Sequence, residues 1–270
     1  MAQLITLEDI RGFAPGAKLR VAKGTLFTPS ATDYAHEKRL VIEYEAAEPS
    51  TGCPEDSPEL RREVIESCRW LLEKNLTIGT WGNISVRLSD GNILITPSKV
   101  GYDVMRPEDL VVLAPDGRIV DGFRLPTSER ELHRGILNRR KDVNAIVHSH
   151  SPYAMACCCI EGGIPPLTEE MAQLLGGGVP LSDPFVPSEK HVELGRVVTE
   201  SLGDAGAVLI RNHGPVACGS SLSEAKVAAQ CVEKAAKMYL HLVGPQPILP
   251  IEDRWVKAGR IYFKEGYGKT

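Results

Sequence analysis

Two apolar segments of the sequence each run into histidine, and together they constrain the fold more than any other feature. Residues 143–150 read Val-Asn-Ala-Ile-Val-His-Ser-His, the pattern of a buried strand that reaches its C-terminal end. Side chains alternate faces along a strand with period two, so His148 and His150 are predicted to point the same way. A second apolar run, residues 207–210, continues into Arg-Asn-His-Gly and supplies His213. Three histidines that leave a fourth position open are typical of catalytic zinc sites, although a His-Ser-His pair alone is equally typical of a solvated loop end.

The composition is that of an ordinary globular protein. Of the 270 residues, 43% are hydrophobic and 24% are charged, which argues against wholesale disorder. The formal net charge of -4 gives no general attraction to nucleic acid or to an anionic membrane. No apolar run approaches the ~18 residues that a membrane span requires. Seven cysteines, three of them adjacent, follow no disulfide framework and indicate a reducing cytoplasm. We therefore expect a cytoplasmic protein without nucleic-acid or membrane partners.

Two shifts in composition divide the sequence. Residues 1–45 contain two short strand-like runs and a Thr-Pro turn that opens a short helix, which predicts a small N-terminal module. Residues 46–58 are poor in apolar side chains and carry three prolines, as a linker does. Residues 59–270 would then form the main domain.

The main domain combines helical and antiparallel signals. Ser57 is placed to cap a helix over about 59–75. Asp-Gly turns at 90–91 and 116–117 each join two alternating apolar runs, as in β-hairpins. A capping-box sequence, Ser-Glu-Arg-Glu at 128–131, predicts another helix start. This much antiparallel signal argues against a doubly wound parallel sheet.

Three turns that carry glycine, serine or threonine precede the histidines. They are Thr-Trp-Gly-Asn at 80–83, Thr-Pro-Ser-Lys at 96–99 and Pro-Thr-Ser at 126–128. Free backbone N–H groups, hydroxyls and a helix N-terminus together make a phosphate cradle. Each turn taken alone is also consistent with a hairpin turn or a simple helix cap. Glu129, beside the third turn, is a candidate general base or metal ligand, or only an acidic residue favoured by the helix dipole.

As a set, these motifs resemble the class II aldolase/adducin-head family over about residues 58–270. The resemblance implies an α/β fold, a three-layer α/β/α sandwich on a largely antiparallel central sheet. It also implies a homotetramer with sites between subunits. It rests on the order and spacing of five motifs: Gly-Asn-Ile-Ser-Val-Arg at 82–87, Ile-Thr-Pro-Ser at 95–98, Pro-Thr-Ser-Glu at 126–129, Val-His-Ser-His at 147–150 and Asn-His-Gly at 212–214.

The same resemblance implies a role for each candidate residue. One Zn²⁺ per subunit would be bound by His148, His150 and His213, and Glu129 would be the catalytic acid/base. Tyr267 matches a C-terminal tyrosine that crosses into a neighbouring subunit's site and acts on the aldehyde oxygen. The residues that correspond to the substrate site, mainly its phosphate, are Gly82, Asn83, Ser98, Lys99, Thr127 and Ser128.

The implied reaction is the zinc-dependent cleavage of a ketose 1-phosphate to dihydroxyacetone phosphate and an aldehyde. L-Fuculose 1-phosphate, which would give L-lactaldehyde, is the favoured substrate. Two departures bear on this choice: Lys99 stands where the aldolases usually have glycine, and the region around Glu170 replaces their aldehyde-side tyrosine. Branches of the family that epimerise at C4, decarboxylate or dehydrate stay open, although the epimerases typically carry aspartate in place of Glu129.

Residues 1–45 lie outside this resemblance. Segments 4–11 and 26–31 resemble short N-terminal modules of proteins associated with bacterial microcompartments. A contact with a microcompartment shell or its cargo is therefore predicted, with the enzyme working inside that shell; the alternative is a plain subunit-contact extension. A non-catalytic scaffold that binds the shell also stays open, although the family's non-enzymatic branch lacks the three metal histidines.

Overall fold

The computed structural model describes residues 4–21, 26–44, 53–244 and 247–265. Within those residues, no helix combines the length and the apolar character needed to cross a membrane. The chain divides into two compact units, Met1–Gly52 with Ser89–Gly91, and Cys53–Leu88 with Asn92–Thr270. The boundary expected between residues 45 and 46 falls outside the described residues, so the division into module, linker and main domain stays a prediction.

The smaller unit contains two short pairs of parallel strands and two helices. Its elements, in chain order, are β1 (Leu4–Ile5), α1 (Leu7–Ile10), β2 (Lys18–Val21), β3 (Leu26–Phe27), α2 (Pro29–Glu37) and β4 (Val41–Tyr44). β1 pairs with β3, and β2 pairs with β4. Thr28 caps α2, because its Oγ1 accepts a hydrogen bond of 3.3 Å from the backbone N–H of Ala31. The helix after the Thr-Pro turn is therefore present, as predicted.

A seven-stranded sheet, in which every pairing is antiparallel, forms the centre of the larger unit. Its strands are β5 (Asn83–Arg87), β6 (Ile93–Ile95), β7 (Val111–Leu113), β8 (Ile119–Asp121), β9 (Ala145–His148), β10 (Ala207–Ile210) and β11 (Gly214–Gly219). Their spatial order is β10-β11-β9-β5-β6-β7-β8. The two predicted Asp-Gly turns lie between β5 and β6 and between β7 and β8.

Helices cover both faces of this sheet. Along β9 the side chains alternate, so Val147 packs into the apolar core on one face and Ile146 into the core on the other. The helices α3 (Pro58–Glu73), α5 (Pro152–Cys157) and α7 (Leu222–Leu242) contribute to the first core, and α4 (Arg130–Arg139) and α6 (His191–Leu202) to the second. A last helix, α8 (Asp253–Glu265), follows α7. The predicted α/β/α sandwich on an antiparallel sheet is confirmed.

Helix caps behave as predicted at α3 but not at α4. The Oγ atom of Ser57 accepts a hydrogen bond of 3.1 Å from the backbone N–H of Leu60 and caps α3. At α4 the predicted capping box is wrong, because Ser128 is exposed and Glu129 occupies the N-cap without a side-chain cap bond. The Glu129 carboxylate is instead buried, where polar groups of the neighbouring strands compete for it.

Candidate metal centre

Three imidazoles meet at one end of β9. His148 is the last residue of that strand, and His150 follows, with its backbone N–H bonded to the Leu76 carbonyl oxygen at 3.0 Å. His213 lies in the turn between β10 and β11. The Nε2 atoms of His148 and His150 are 3.2 Å apart, and the candidate ligand atoms of all three residues lie within 4.8 Å of one another. The structure thus brings together the three predicted metal ligands.

The turn that carries His213 depends on its two neighbours. Asn212 has a left-handed φ of 55°, a region that asparagine enters more readily than most residues. Gly214 lies against the end of β9. An added Cβ there would collide with the Ser149 carbonyl oxygen and would lie 3.3 Å from ring atoms of both His148 and His150. A side chain at position 214 would therefore push the imidazoles apart.

Hydrogen bonding around the imidazoles favours a bound cation. The Nδ1 atom of His148 lies 3.0 Å from the Pro215 carbonyl oxygen, which can only accept. Nδ1 therefore carries the proton, and Nε2 presents a lone pair towards His150. The Oε1 atom of Glu129 lies 3.2 Å from His213 Nε2 and, within the described chain, is buried without a hydrogen-bond partner. A divalent ion among the three nitrogens would accept the lone pairs and offset the carboxylate charge, so these residues fit a metal.

Burial keeps His150 and His213 in the form that binds metal. Burial lowers the pKa of His150 to about 3 and that of His213 to about 4, and the proximity of His148 contributes to both. Neutral imidazole is the form that coordinates a metal ion. Burial raises the pKa of Glu129, whereas the charge that His148 and His213 carry when protonated and the hydrogen bond from Asn83 lower it, and the lowering prevails. The carboxylate is therefore ionised at neutral pH.

Glu129 enters the site from the N-cap of α4. Its Oε2 atom lies 3.2 Å from His148 Nε2 and accepts a hydrogen bond of 2.7 Å from the Asn83 side-chain amide. The sheet register explains this arrangement, because Asn83 on β5 is paired directly with His148 on β9. An amide, an imidazole and a carboxylate therefore share one small volume.

Sequence reasoning missed two buried polar residues near Glu129. The Nε2 atom of His133 is hydrogen-bonded to Asn83 Oδ1, and its Nδ1 lies 2.7 Å from Ser85 Oγ. Both His133 and Ser85 are fully buried. Their spacing carried a signal that was overlooked. His133 follows Glu129 by four residues on α4, and Ser85 follows Asn83 by two on β5, so each pair shares a face.

The buried His133 predicts that acid destabilises the metal-free protein. Burial lowers the pKa of His133 to about 3, whereas an unfolded histidine titrates near ~6.5. Between these values the unfolded chain binds a proton that the folded chain does not, so the free energy of unfolding falls as pH falls. We expect His133 to account for about 2 kcal/mol of the loss between pH 6.5 and 5. Urea unfolding of chelator-treated wild type and His133→Gln should show a shallower pH dependence for the variant; equal slopes would contradict the assignment.

Two of the three predicted phosphate turns lie side by side. Turns 96–99 and 126–128 are joined by an isolated β-bridge and by a hydrogen bond of 3.0 Å from the Thr127 N–H. The Thr127 hydroxyl oxygen also accepts a hydrogen bond of 3.3 Å from the Glu129 backbone N–H. The pair of turns is therefore connected directly to the residue that lies against the histidines.

The side chains of these turns differ in exposure and in strain. Ser98 is half-buried, whereas Lys99 and Ser128 are exposed. The φ angle of Lys99 is 61°, in the left-handed region that favours glycine. A lysine there is strained by about 1 to 2 kcal/mol, which gives a conformational reason for the glycine that the family resemblance leads us to expect at this position.

The predicted turn at 80–83 also borders the histidines, but the side chain of Asn83 is already hydrogen-bonded. An added Cβ at Gly82 would come within 3.0 Å of the His148 carbonyl oxygen, and the Trp81 ring lies 5.4 Å from the His150 ring. Asn83 points inwards and is bonded to Glu129 as described. Its assignment to the substrate phosphate stays a prediction, and its observed contacts give it a role beside the carboxylate.

Glu170 and Tyr267 were the other two positions singled out from the sequence. The Glu170 carboxylate accepts a hydrogen bond of 2.8 Å from Lys234 Nζ at the surface, and this contact lowers its pKa to about 2. Tyr267 lies outside the described residues.

Comparison with known proteins places this geometry in a family. Residues 62–240 match the model of the family described as class II aldolase and adducin N-terminal domain. The chain is 32% identical over 212 residues to a 5-deoxy-D-ribulose 1-phosphate aldolase of Bacillus thuringiensis serovar kurstaki, a match that covers 77% of the chain and 97% of the relative. It is also 32% identical over 206 residues to an L-ribulose-5-phosphate 4-epimerase of Salmonella paratyphi C, covering 72% of the chain and 90% of the relative.

A solved structure is similar over nearly its whole length. An L-fuculose 1-phosphate aldolase superposes with a TM-score of 0.73 and 29% sequence identity, covering 79% of this chain and 99% of that one. The family match spans all seven strands of the antiparallel sheet and all three histidines. The chain therefore belongs to the class II aldolase and adducin family, as one of its enzymes.

Proposed function

We propose that the chain is a zinc-dependent aldolase that cleaves a ketose 1-phosphate, with L-fuculose 1-phosphate as the favoured substrate. The products would be dihydroxyacetone phosphate and L-lactaldehyde. One observation carries the proposal: the Glu129 carboxylate lies against two of the three convergent histidines, His148 and His213, and its backbone N–H donates to Thr127 in a turn suited to phosphate. Two of the similar proteins are named as aldolases of ketose 1-phosphates, which supports the substrate class.

The residues divide the chemistry between charge stabilisation and proton transfer. His148, His150 and His213 would hold the zinc ion, which when bound supplies Lewis-acid stabilisation of the negative charge that develops on the substrate oxygens. In the synthetic direction, the Glu129 carboxylate removes a proton from C3 of dihydroxyacetone phosphate, and the electron pair left on C3 forms the bond to the aldehyde carbon. We assign protonation of the aldehyde oxygen to Tyr267. Cleavage is the same sequence in reverse.

The turns position the substrate rather than react with it. Backbone N–H groups and hydroxyls of turns 96–99 and 126–128 would bind the phosphate, and the N-terminus of α4 favours an anion at the same place. Fixing the phosphate sets the distance between C3 of the substrate and Glu129. Loss of a turn hydroxyl, such as that of Ser98 or Ser128, should therefore act mainly on KM.

Lys99→Gly separates the strain at this turn from its charge. Glycine adopts the left-handed conformation freely, so the free energy of unfolding should rise by about 1 kcal/mol. Loss of the ammonium should raise KM for a sugar phosphate about two- to fivefold, the effect of one exposed charge pair. Lys99→Gln is the matched control, because it removes the charge and keeps the strained backbone. Urea denaturation and steady-state kinetics measure both effects; an unchanged KM in both variants would remove Lys99 from the substrate site.

Epimerisation at C4 of a pentulose phosphate is the second candidate function. It is favoured by the similarity to an L-ribulose-5-phosphate 4-epimerase at an identity equal to that of the aldolase relative. Glu129 favours the aldolase assignment, because the epimerases typically carry aspartate at this position. The products distinguish the two reactions, since only the aldolase releases a triose phosphate.

A coupled assay tests the proposal directly. Zinc-loaded protein is given L-fuculose 1-phosphate, and dihydroxyacetone phosphate is followed through NADH oxidation, with a chelator-treated sample beside it. Turnover that is lost on chelation and restored by zinc is the expected result. The contrary result is stoichiometric zinc, no triose phosphate, and a C4 epimer formed from L-ribulose 5-phosphate. That result would identify the protein as a 4-epimerase, the second candidate function.

Residues 1–45 and the subunit assembly are the basis of a second part of the proposal. We propose that this segment contacts the shell or cargo of a bacterial microcompartment and that the enzyme assembles as a homotetramer with sites between subunits. A scaffold without catalysis would instead contain no stoichiometric zinc and would tolerate loss of His150. Light scattering gives the subunit number, and elemental analysis gives the zinc content.

A further inference from the structure

A chain of four buried polar side chains runs from the sheet to the site carboxylate. The Ser85 hydroxyl lies 2.7 Å from His133 Nδ1, His133 Nε2 is bonded to Asn83 Oδ1, and the Asn83 amide donates to Glu129 Oε2 at 2.7 Å. His133 and Ser85 are fully buried, and Asn83 is 4% exposed. Polar groups buried this deeply normally persist only when every hydrogen bond is satisfied.

The chemistry of these groups fixes the direction of every hydrogen bond. The Nδ2 group of Asn83 can only donate, and it faces Glu129 Oε2 at 2.7 Å, while the Asn83 carbonyl oxygen faces His133 Nε2. That oxygen can only accept, so His133 Nε2 carries the proton. Burial keeps His133 neutral, with a pKa lowered to about 3, and its Nδ1 therefore accepts from the Ser85 hydroxyl. All three hydrogen bonds therefore run in the same donor-to-acceptor direction, from the hydroxyl to the imidazole, from the imidazole to the amide and from the amide to the carboxylate.

The four hydrogen-bonded side chains belong to only two elements, α4 and β5, and they connect these elements to each other. Glu129 and His133 lie one turn apart at the start of α4, and Asn83 and Ser85 lie on one face of β5. The far end of α4 is attached to β5 by a different side chain, because the Arg87 guanidinium donates to the Arg140 carbonyl at 3.0 Å. Fixing α4 to the sheet therefore does not by itself require an imidazole at position 133.

We propose that His133 is a positioning residue of the aldolase site. Its Nε2–H holds the Asn83 amide in the one orientation that donates to Glu129, and so keeps the carboxylate aimed at the carbon from which it takes a proton. Without that donor the amide can turn by 180° and place its carbonyl oxygen against the Glu129 carboxylate, where two acceptors repel. This inference rests on the proposed function for the identity of the proton that Glu129 transfers.

Two substitutions separate the Nε2 donor from a merely structural imidazole. In His133→Gln the amide nitrogen reaches the place of Nε2 and can donate to Asn83, whereas in His133→Asn the shorter amide reaches only the place of Nδ1, beside Ser85. We expect His133→Asn to lower kcat about 10- to 100-fold with zinc still stoichiometric. In that variant KM should change less than about threefold, because the phosphate turns are untouched. His133→Gln should keep kcat within about threefold of wild type.

The tautomer of His133 gives a readout that needs no turnover. Two-bond ¹H–¹⁵N correlation spectra of histidine-labelled wild-type protein should show His133 as the neutral Nε2–H form. That tautomer, together with loss of kcat in His133→Asn and recovery in His133→Gln, is the expected result. An Nδ1–H tautomer, or equal kcat in the two variants, would overturn the inference.

The same samples distinguish failure of this inference from failure of the proposed function. If wild type releases no triose phosphate from any ketose 1-phosphate, the proposed function fails. The His133 tautomer then decides whether the hydrogen bonds from Ser85 to Glu129 have the inferred direction. If His133→Asn does not fold, the tautomer and the kcat of His133→Gln decide in the same way.

Discussion

Replacement of His148 by alanine is expected to abolish stoichiometric zinc and to lower kcat by about 10⁴-fold, because Lewis-acid stabilisation contributes about 5 kcal/mol to such a step. His148 would be the central ligand of the proposed zinc site. It is fully buried, its Nδ1–H is fixed by the Pro215 carbonyl, and its Nε2 faces both His150 and Glu129. Two remaining imidazoles cannot retain the ion against water at the affinity of three.

Elemental analysis after dialysis and the coupled assay measure the two effects together. Zinc should raise the thermal midpoint of wild type, since a ligand that binds only the folded state stabilises it, and should leave that of His148→Ala unchanged. His241→Ala is the control, because His241 is exposed on the last turn of α7. A variant that lacks His148 yet keeps one zinc per subunit and its turnover would refute the metal site.

Glu129→Gln is expected to lower kcat by about 10²- to 10⁴-fold while zinc binding and KM change little. Glutamine keeps the volume of the side chain and can still meet Asn83, but it cannot take a proton from carbon. The effect should appear in the partial reaction as well, so exchange of the C3 proton of dihydroxyacetone phosphate with solvent deuterium, followed by NMR, should slow by the same factor.

The neighbouring residue Glu131 supplies a matched control. It lies in the same helical turn, but its carboxylate pairs with Arg134 instead of entering the site. Glu131→Gln should therefore keep kcat and proton exchange near the wild-type values. If Glu129→Gln exchanged the C3 proton at the wild-type rate, the base would have to be another group, and the position of Glu129 against the histidines would reflect electrostatics alone.

Much of this site could be predicted from short-range sequence patterns. Period-two alternation in 143–150 correctly indicated that His148 and His150 would face one volume, and Asn-His-Gly after an apolar run supplied His213. The antiparallel sheet followed from the Asp-Gly turns between alternating segments. These predictions succeeded because a strand's geometry is fixed by its own residues.

What escaped prediction depends on contacts between distant elements. The capping-box pattern at 128–131 suggests that Ser128 caps α4, but the Glu129 side chain turns inwards to the buried Asn83 amide, and this tertiary contact prevails over the local cap. The contact of Asn83 with Glu129 also could not be foreseen, because the place of Asn83 in the motif does not reveal its rotamer. His133 was overlooked because one histidine on an apolar helix face is usually only a packed core residue.

The position of the histidines in the sheet has a consequence for how the protein handles its metal. β9 is hydrogen-bonded on both sides, to β11 and to β5, so His148 projects from the interior of the sheet and not from an edge strand. In small zinc domains the ion and the fold form together, and a chelator unfolds the chain. Here His148 ends a paired strand and the other two histidines directly follow strands of the same sheet, so we expect the fold to persist when the ion leaves and returns. The amount of active enzyme in a cell would then follow the supply of zinc on the timescale of ligand exchange, without new synthesis or refolding.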